Sequence, residues 1–512
     1  MMNIAKTPPH QDDEFDRLLR SNVHPAQWKN PTPDSPYNLV ILGGGTAGLV
    51  TASIGAGLGA KVALIERHLM GGDCLNVGCV PSKAIIRAAR VVATIKESHE
   101  FGLTFPGDVK HDFGYVISRM RRVRSELSRA DSAERFKELG VDVFIGNGQF
   151  ASSDTITVDG ATLKFSHAVI CTGTKPAPLN VSGLGPDDYL TNESIFSITR
   201  LPQRLAVVGA GPVGCELAQA FARFGSQVTL FEEAENILPR EDSDASEIVQ
   251  NQLNRDGVQV LCNTTIKSVE VRANDKRIHY SLGDQATCVD VDSILASVGR
   301  RSNIQGLGLE KAGVAHTRAG ITIDSHLRTT NPRIYAAGDV CFPFKFTHTA
   351  EATAKIVIQN ALFPHPFGLG KVSTSSLIIP WCTYTEPEIA HVGMYKADAE
   401  AQGIKVETFT HSLSDVDRAI LDGNDTGFAR VHVAKGSDRI LGATIVAADA
   451  GNIISAVTVA MQTGAGLSVL GKMIHPYPTQ GEVIRKVANQ MRKARFSKRQ
   501  RAILTRLFSW RR

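Results

Sequence analysis

Asn38-Leu39-Val40-Ile41-Leu42-Gly43-Gly44-Gly45-Thr46-Ala47-Gly48 decides the fold of this chain. Five residues read as a short buried strand, and the glycine run after them opens a helix. A second strand, Lys61 to Ile65, ends at Glu66, 23 residues after Gly43. Gly43, Gly45 and Gly48 stand in GxGxxG spacing, which lets backbone approach a pyrophosphate at a helix N-terminus. The acid at the strand end can accept hydrogen bonds from a ribose diol. One such turn also fits an ordinary tight turn, but the unit recurs. Leu205 to Val208 is a strand, Gly209, Gly211 and Gly214 form the turn, a helix runs to about Phe224, and Gln227 to Phe231 leads to Glu232, again 23 residues on. The chain therefore holds two dinucleotides, or one internal duplication with a dead copy.

Working outward, Gly71-Gly72-Asp73-Cys74-Leu75-Asn76-Val77-Gly78-Cys79-Val80-Pro81-Ser82-Lys83 follows the first unit. Two cysteines five apart beside a dinucleotide turn suggest electron transfer through a disulfide. Cys79 falls near a helix start, where the dipole lowers a thiol pKa. The alternative is two unrelated buried thiols. Asn331 to Val340 is a further apolar strand ending in Gly338-Asp339. After about residue 375, strands of alternating polarity at 429–433 and 439–446 precede helical stretches at 452–462 and 467–473, the pattern of a separate α+β domain.

The 512 residues suffice for about three domains. Hydrophobic residues make up 43% and aromatics 6%, which is ordinary for a globular protein, and no apolar run is long enough to span a bilayer. The start of the chain carries Asp12, Asp13 and Glu14 without an apolar segment, so a secretory signal is not expected and the cytoplasm is. The eight cysteines do not read as a disulfide framework. The net charge of +5 is terminal in origin: eleven basic residues and no acid lie from Arg485 onward, so the rest of the chain is net acidic and shows no nucleic-acid footprint. Residues 491–512 place Ile503, Leu504, Leu507 and Phe508 on one helical face with Arg499 and Arg506 at its flanks, the pattern of a membrane-surface helix. A solubilising tail, or a helix packed on the body, is the alternative.

With these motifs the chain resembles the flavin-dependent pyridine nucleotide-disulfide oxidoreductases, a family including dihydrolipoyl dehydrogenase, glutathione reductase and mercuric reductase. The resemblance runs from about Tyr37 to Gln490. It implies an α/β fold with two Rossmann-like domains, the FAD domain being discontinuous, and a C-terminal α+β dimerisation domain. The divisions are a 1–36 arm, 37–186 (FAD), 187–305 (NAD), 306–375 (FAD), 376–490 (dimerisation) and a 491–512 basic tail. It further implies FAD at Gly43, Gly45, Gly48, Glu66, Gly72, Lys83, Thr172, Gly173, Gly338, Asp339 and His348, with the helix starting near His348 facing the flavin pyrimidine. The nicotinamide nucleotide would take Gly209, Gly211, Gly214, Glu232 and Gly299. Acidic Glu232, Glu233 and Glu235 repel a ribose 2′-phosphate, which favours NADH over NADPH. Lys83 matches the lysine beside flavin N5, and Glu216 its ion-pair partner. By the same resemblance, hydride passes from NADH to the flavin, the Cys74–Cys79 disulfide opens, Cys79 faces the flavin as thiolate, and Cys74 exchanges with substrate.

One position departs from the pattern. The family's C-terminal His-x-x-x-x-Glu pair, supplied across a homodimer interface, corresponds to Tyr477 and Glu482, with His475 two residues upstream. A tyrosine with pKa near 10 is a poor acid–base partner for a thiol. Mercuric reductase also carries tyrosine there, but it ends in a cysteine pair that hands over the metal, and this chain has no cysteine after Cys382. The expected activity is transfer from NADH through flavin and disulfide to a disulfide, thiophilic metal or quinone-like acceptor. The alternatives are a dihydrolipoyl dehydrogenase using His475 or solvent, and a membrane-docked redox sensor with little turnover. No resident metal is expected.

Overall fold

The structure, a computed structural model, describes residues 13–104, 110–283 and 285–512. Residues 1–12 of the N-terminal arm, with Pro8, Pro9 and Asp12, lie outside the described residues. A short helix spans Glu14–Val23, and the Asp13 side chain accepts the Asp16 N–H at its start. Asp16, on this helix, pairs with Arg124 at 2.7 Å.

The chain divides into two compact units. The first comprises 1–209, 220–231 and 265–377. Its centre is the strand Tyr37–Leu42, paired in parallel with Val62–Glu66 on one side and Ala161–Ile170 on the other. Val141–Ile145 continues the parallel order beyond Val62–Glu66, and Ile334–Ala336 pairs with Ala161–Ile170. Leu39, Val40, Ile41 and Leu42 are all buried, as in a parallel strand covered on both faces. Leu39 and Ile41 face one core with the helices Thr46–Gly57 and Thr347–Leu362; Val40 and Leu42 face the other with Phe144, Phe150 and Phe165. Arg204–Val208 pairs in parallel with Gln227–Phe231 and with Ser293–Ala296.

The second unit comprises 210–219, 232–264 and 378–512. It carries a five-stranded sheet in the order 380–383, 388–393, 440–447, 428–434, 406–412. Alternation of polarity leads one to expect one wet face here, yet Ile440–Ala447 is buried along its whole length. Val431, Val433, Ala443 and Ile445 share a core with the helices Ala450–Thr463 and Val483–Arg495. Polar Arg430, His432 and Thr444 belong to the alternate positions, and they are bonded rather than solvated: Arg430 binds Asp242 at 2.8 Å, His432 binds Thr408 at 2.9 Å through Nδ1 while its buried Nε2 has no partner, and Thr444 binds His391 at 2.8 Å. The stretch 491–512 falls into two elements. Met491 is buried in the helix Val483–Arg495, while Lys498–Trp510 forms a separate helix with no buried residue.

Candidate active site

Both fingerprint turns have the predicted form. Gly43 (φ +106°) follows the central strand, and a Cβ there would lie 2.4 Å from the Cys171 carbonyl oxygen; a Cβ on Gly209 (φ +98°) would lie 2.6 Å from that of Ser297. Only glycine fits either place. The helix Thr46–Gly57 begins directly after Gly45 and includes Gly48, and Pro212–Arg223 begins after Gly211 and includes Gly214. The acids do more than wait for a ribose. Glu66 accepts the Gly44 N–H at 2.6 Å and the His68 N–H at 2.7 Å. In the second unit, Glu232 accepts the Ala210 N–H at 2.7 Å and the Ala234 N–H at 3.0 Å. Each carboxylate thus ties its glycine turn to the strand end and keeps lone pairs for a diol.

Cys74 lies in the short helix Gly72–Val77, and Cys79 is the first residue of the long helix Cys79–Glu97. Gly78 makes the corner: a Cβ there would sit 2.7 Å from the Asp73 carbonyl oxygen. The two sulfurs are not joined to one another. Thr347, first residue of the helix Thr347–Leu362, places its hydroxyl 3.3 Å from the Cys79 sulfur. Two helix N-termini therefore converge on Cys79, and both favour negative charge there. Cys74 is different. Its hydrogen bond to Cys79 and then its burial push its thiol well above the ordinary range. The pair is electrically unequal: the proton stays on Cys74.

Asp339, in the turn Gly338–Val340, accepts a hydrogen bond from the Thr174 hydroxyl at 3.2 Å, and burial raises its carboxyl. Gly338 donates its N–H to the Thr353 hydroxyl at 3.0 Å, fixing that turn on the helix Thr347–Leu362. Thr172 and Gly173 are clasped by Asn303: the Thr172 hydroxyl donates to its carbonyl at 2.7 Å, its amide returns a bond to the Thr172 carbonyl at 3.0 Å, and its N–H reaches Gly173 at 2.9 Å. His348 stacks on Phe346, with ring centroids 5.3 Å apart. Lys83 stands one turn after Cys79 on the same helix and is half-buried. In the second unit Glu216 is buried and accepts the Tyr384 N–H at 2.9 Å.

The sequence reading missed Arg300 and Asp73. Arg300 forms an ion pair with Asp73, the residue before Cys74, donates to the Thr174 hydroxyl at 2.7 Å and carbonyl at 3.1 Å, and reaches Asn192 at 3.4 Å. One guanidinium thus links the cysteine helix, through Thr174, to Asp339. No spacing signal could have paired residues 227 positions apart.

The C-terminal residues do not assemble as an acid–base pair. Tyr477 is 72% exposed, and its hydroxyl donates to Asp417 at 2.8 Å, which raises its pKa further. Glu482 is buried and ion-paired with Arg485. His475 has a buried Nε2 without a hydrogen-bond partner, and its pKa is lowered by burial and then by Arg485. Among the described residues, no hydrogen bond joins His475 or Tyr477 to Glu482.

The residues of the first unit fit a flavin dinucleotide. A Cβ on Gly173 would meet nothing within 4 Å, so open space lies in front of that backbone, and the buried Thr349 hydroxyl has no partner of its own. In the second unit Gly211 faces open space in the same way. Among the described residues no helix is long and apolar enough to cross a membrane.

Residues 37–354 match the pyridine nucleotide-disulphide oxidoreductase family, and residues 379–488 match that family's dimerisation domain, which supports a homodimer. The chain is 33% identical over 457 residues to a mercuric reductase of Staphylococcus aureus, covering 89% of this chain and 82% of the relative. It is 34% identical over 463 residues to a dihydrolipoyl dehydrogenase of Thermus scotoductus, covering 89% and 98%. Among solved structures, the Cu(II) complex of the HOCl-induced flavoprotein disulfide reductase RclA from Escherichia coli superposes with a TM-score of 0.78 at 27% identity, covering 88% of this chain and 99% of that one. The chain belongs to the pyridine nucleotide-disulphide oxidoreductases and is an FAD-dependent oxidoreductase that uses a pyridine nucleotide.

Proposed function

We propose that the protein oxidises NADH and delivers the electrons, by way of FAD and the Cys74–Cys79 pair, to a thiophilic metal ion. The observation that carries this reading is Tyr477, exposed and hydrogen-bonded to Asp417 where dithiol exchange calls for a titrating histidine. A metal ion needs thiolate ligands and electrons, one for each Cu(II) or two for each Hg(II), but no proton donor, so a phenol suffices beside it. The similarity to mercuric reductases and to a protein described as a Cu(II) complex points the same way. A disulfide or a quinone-like molecule is the competing acceptor class.

The bound flavin supplies two-electron chemistry between nicotinamide and disulfide. The chain's residues have separate tasks. Gly43, Gly45, Gly48, Glu66, Gly72, Thr172, Gly173, Gly338, Asp339 and His348 hold FAD; Gly209, Gly211, Gly214, Glu232 and Gly299 hold the nicotinamide nucleotide. Lys83 sets positive charge beside the flavin, and Glu216 is the acid that the family pattern assigns to it. Cys79 holds negative charge at its two helix starts, and Cys74 exchanges with the acceptor. Tyr477, Glu482 and His475 line the acceptor side from the partner copy. These roles divide the chain into 37–186 and 306–375 for FAD, 187–305 for the nucleotide and 376–490 for dimerisation. Cytoplasmic thiol reduction would keep the pair in use.

Anaerobic NADH titration of the wild type and of Cys79→Ala tests the path. A long-wavelength absorbance band is expected in the wild type and not in the variant. A screen of Cu(II), Hg(II), disulfides and quinones then identifies the acceptor, and rapid NAD-linked oxidation of dihydrolipoamide would instead establish the dihydrolipoyl dehydrogenase reading. A second reading, a membrane-docked redox sensor with little turnover, draws on the exposed basic helix Lys498–Trp510; rapid turnover with any acceptor excludes it.

A further inference from the structure

The helix Lys498–Trp510 buries none of its residues, yet its start carries a capping box. The Ser497 hydroxyl accepts the Gln500 N–H at 3.2 Å, and the Gln500 side chain accepts the Ser497 N–H at 2.8 Å. An unsupported helix of this length is marginal in water, so its apolar face calls for a cover. At about 100° per residue, Ile503, Leu504, Leu507, Phe508 and Trp510 occupy one sector of about 160°, interrupted only in the first turn by Gln500, whose side chain is engaged in the cap. Ile503 is 65% exposed and Trp510 84%. Arg499 and Arg506 border one edge of that sector and Arg501 the other, with Lys498 opposite and Arg511 and Arg512 just beyond. No acid lies in this segment, and among the described residues none of these six cations forms an ion pair.

We infer that Lys498–Trp510 is a peripheral anchor for bilayers containing anionic phospholipid, lying flat with its apolar sector among the acyl chains. Cations on both edges let the arginines reach headgroup phosphates while their stems stay over the apolar boundary, and an indole near one end suits the interface. At about 20 Å the helix is too short to cross the hydrocarbon core. A second copy is disfavoured as occupant, because two such helices would bring twelve like charges together. The anchor makes specific the membrane contact of the second reading above, but it does not depend on turnover.

Flotation of the full-length holoprotein with vesicles of phosphatidylcholine alone, or with about 30% phosphatidylglycerol, tests it. Partition onto the anionic vesicles should be at least about tenfold higher, and should fall by roughly fivefold for each of Arg499→Gln and Arg501→Gln. Leu507→Ser with Phe508→Ser should abolish it, and the Trp510 emission should shift to the blue on binding, a change missing in Trp510→Phe. Equal partition onto both vesicle types, no partition, or binding that survives Leu507→Ser/Phe508→Ser overturns the inference. So does a tail-dependent change of oligomeric state without lipid, which would assign the face to a second copy. NADH oxidation in lipid-free buffer is read in parallel: its loss with partition intact counts against the redox reading alone.

Discussion

At the residue scale, the inequality of Cys74 and Cys79 is the feature with the most chemical content. Cys74 keeps its proton because a neighbouring thiol and burial both oppose a charge there. Replacing Cys79 by alanine removes the first of these, so the pH midpoint for alkylation of Cys74 by iodoacetamide should fall toward the ordinary thiol value. The linkage runs the same way. The folded dithiol retains a proton that the unfolded chain releases, so this contribution to stability is present below about pH 8.5 and is lost as pH rises above it. Glu232 gives a second test: kcat/KM should favour NADH over NADPH by at least about tenfold, and Glu232→Ala should narrow the ratio. The identities of these residues are legible in the sequence, because each sits in a dense local motif. Their partners are not. That Glu232 would bind Ala210 and Ala234, or that Thr347 would meet Cys79, depends on how distant backbones converge.

At the element scale, the two strand–turn–helix–strand units could be read directly, since a buried parallel strand leaves a run of apolar residues and its turn demands glycine. The sheet of the second unit was harder to read, because its alternating pattern conceals a second buried layer. His391 shows what that layer does. It is fully buried on the strand Glu388–Gly393, stacks on Tyr395 at 3.7 Å, and hydrogen-bonds Thr444 at 2.8 Å and the Gly393 carbonyl at 3.2 Å. Burial first, with His432 and Arg240 adding to it, pushes its pKa down to about 3. A group that must stay neutral to remain buried contributes stability that is full above about pH 6.5 and is lost as pH falls toward 3. The loss at the acid end should reach about 4 kcal/mol. Urea denaturation of wild type and His391→Gln across that window should show a shallower acid limb in the variant.

At the scale of the whole molecule, the family's dimerisation domain and the tail helix make different demands. Because Lys498–Trp510 buries nothing, deleting residues 497–512 should move the Tm by less than about 2 °C, whereas truncation at Met491 removes a buried side chain and the end of a core helix and should cost several degrees more. Differential scanning calorimetry separates the two. The sequence marks this region as one amphipathic stretch, since both helices are basic on one side. Only packing distinguishes the one that completes a core from the one that waits for a partner.

The bridge from Asp73 through Arg300 and Thr174 to Asp339 has a thermodynamic corollary. Two events that share one rigid linkage cannot be energetically independent, and the dependence is reciprocal. If closing the disulfide alters how tightly the flavin is held, then holding the flavin must shift the thiol–disulfide midpoint by the same factor. Arg300→Met should weaken this mutual dependence. Flavin release measured against a dithiol redox buffer would then shift less with redox state in the variant than in the wild type.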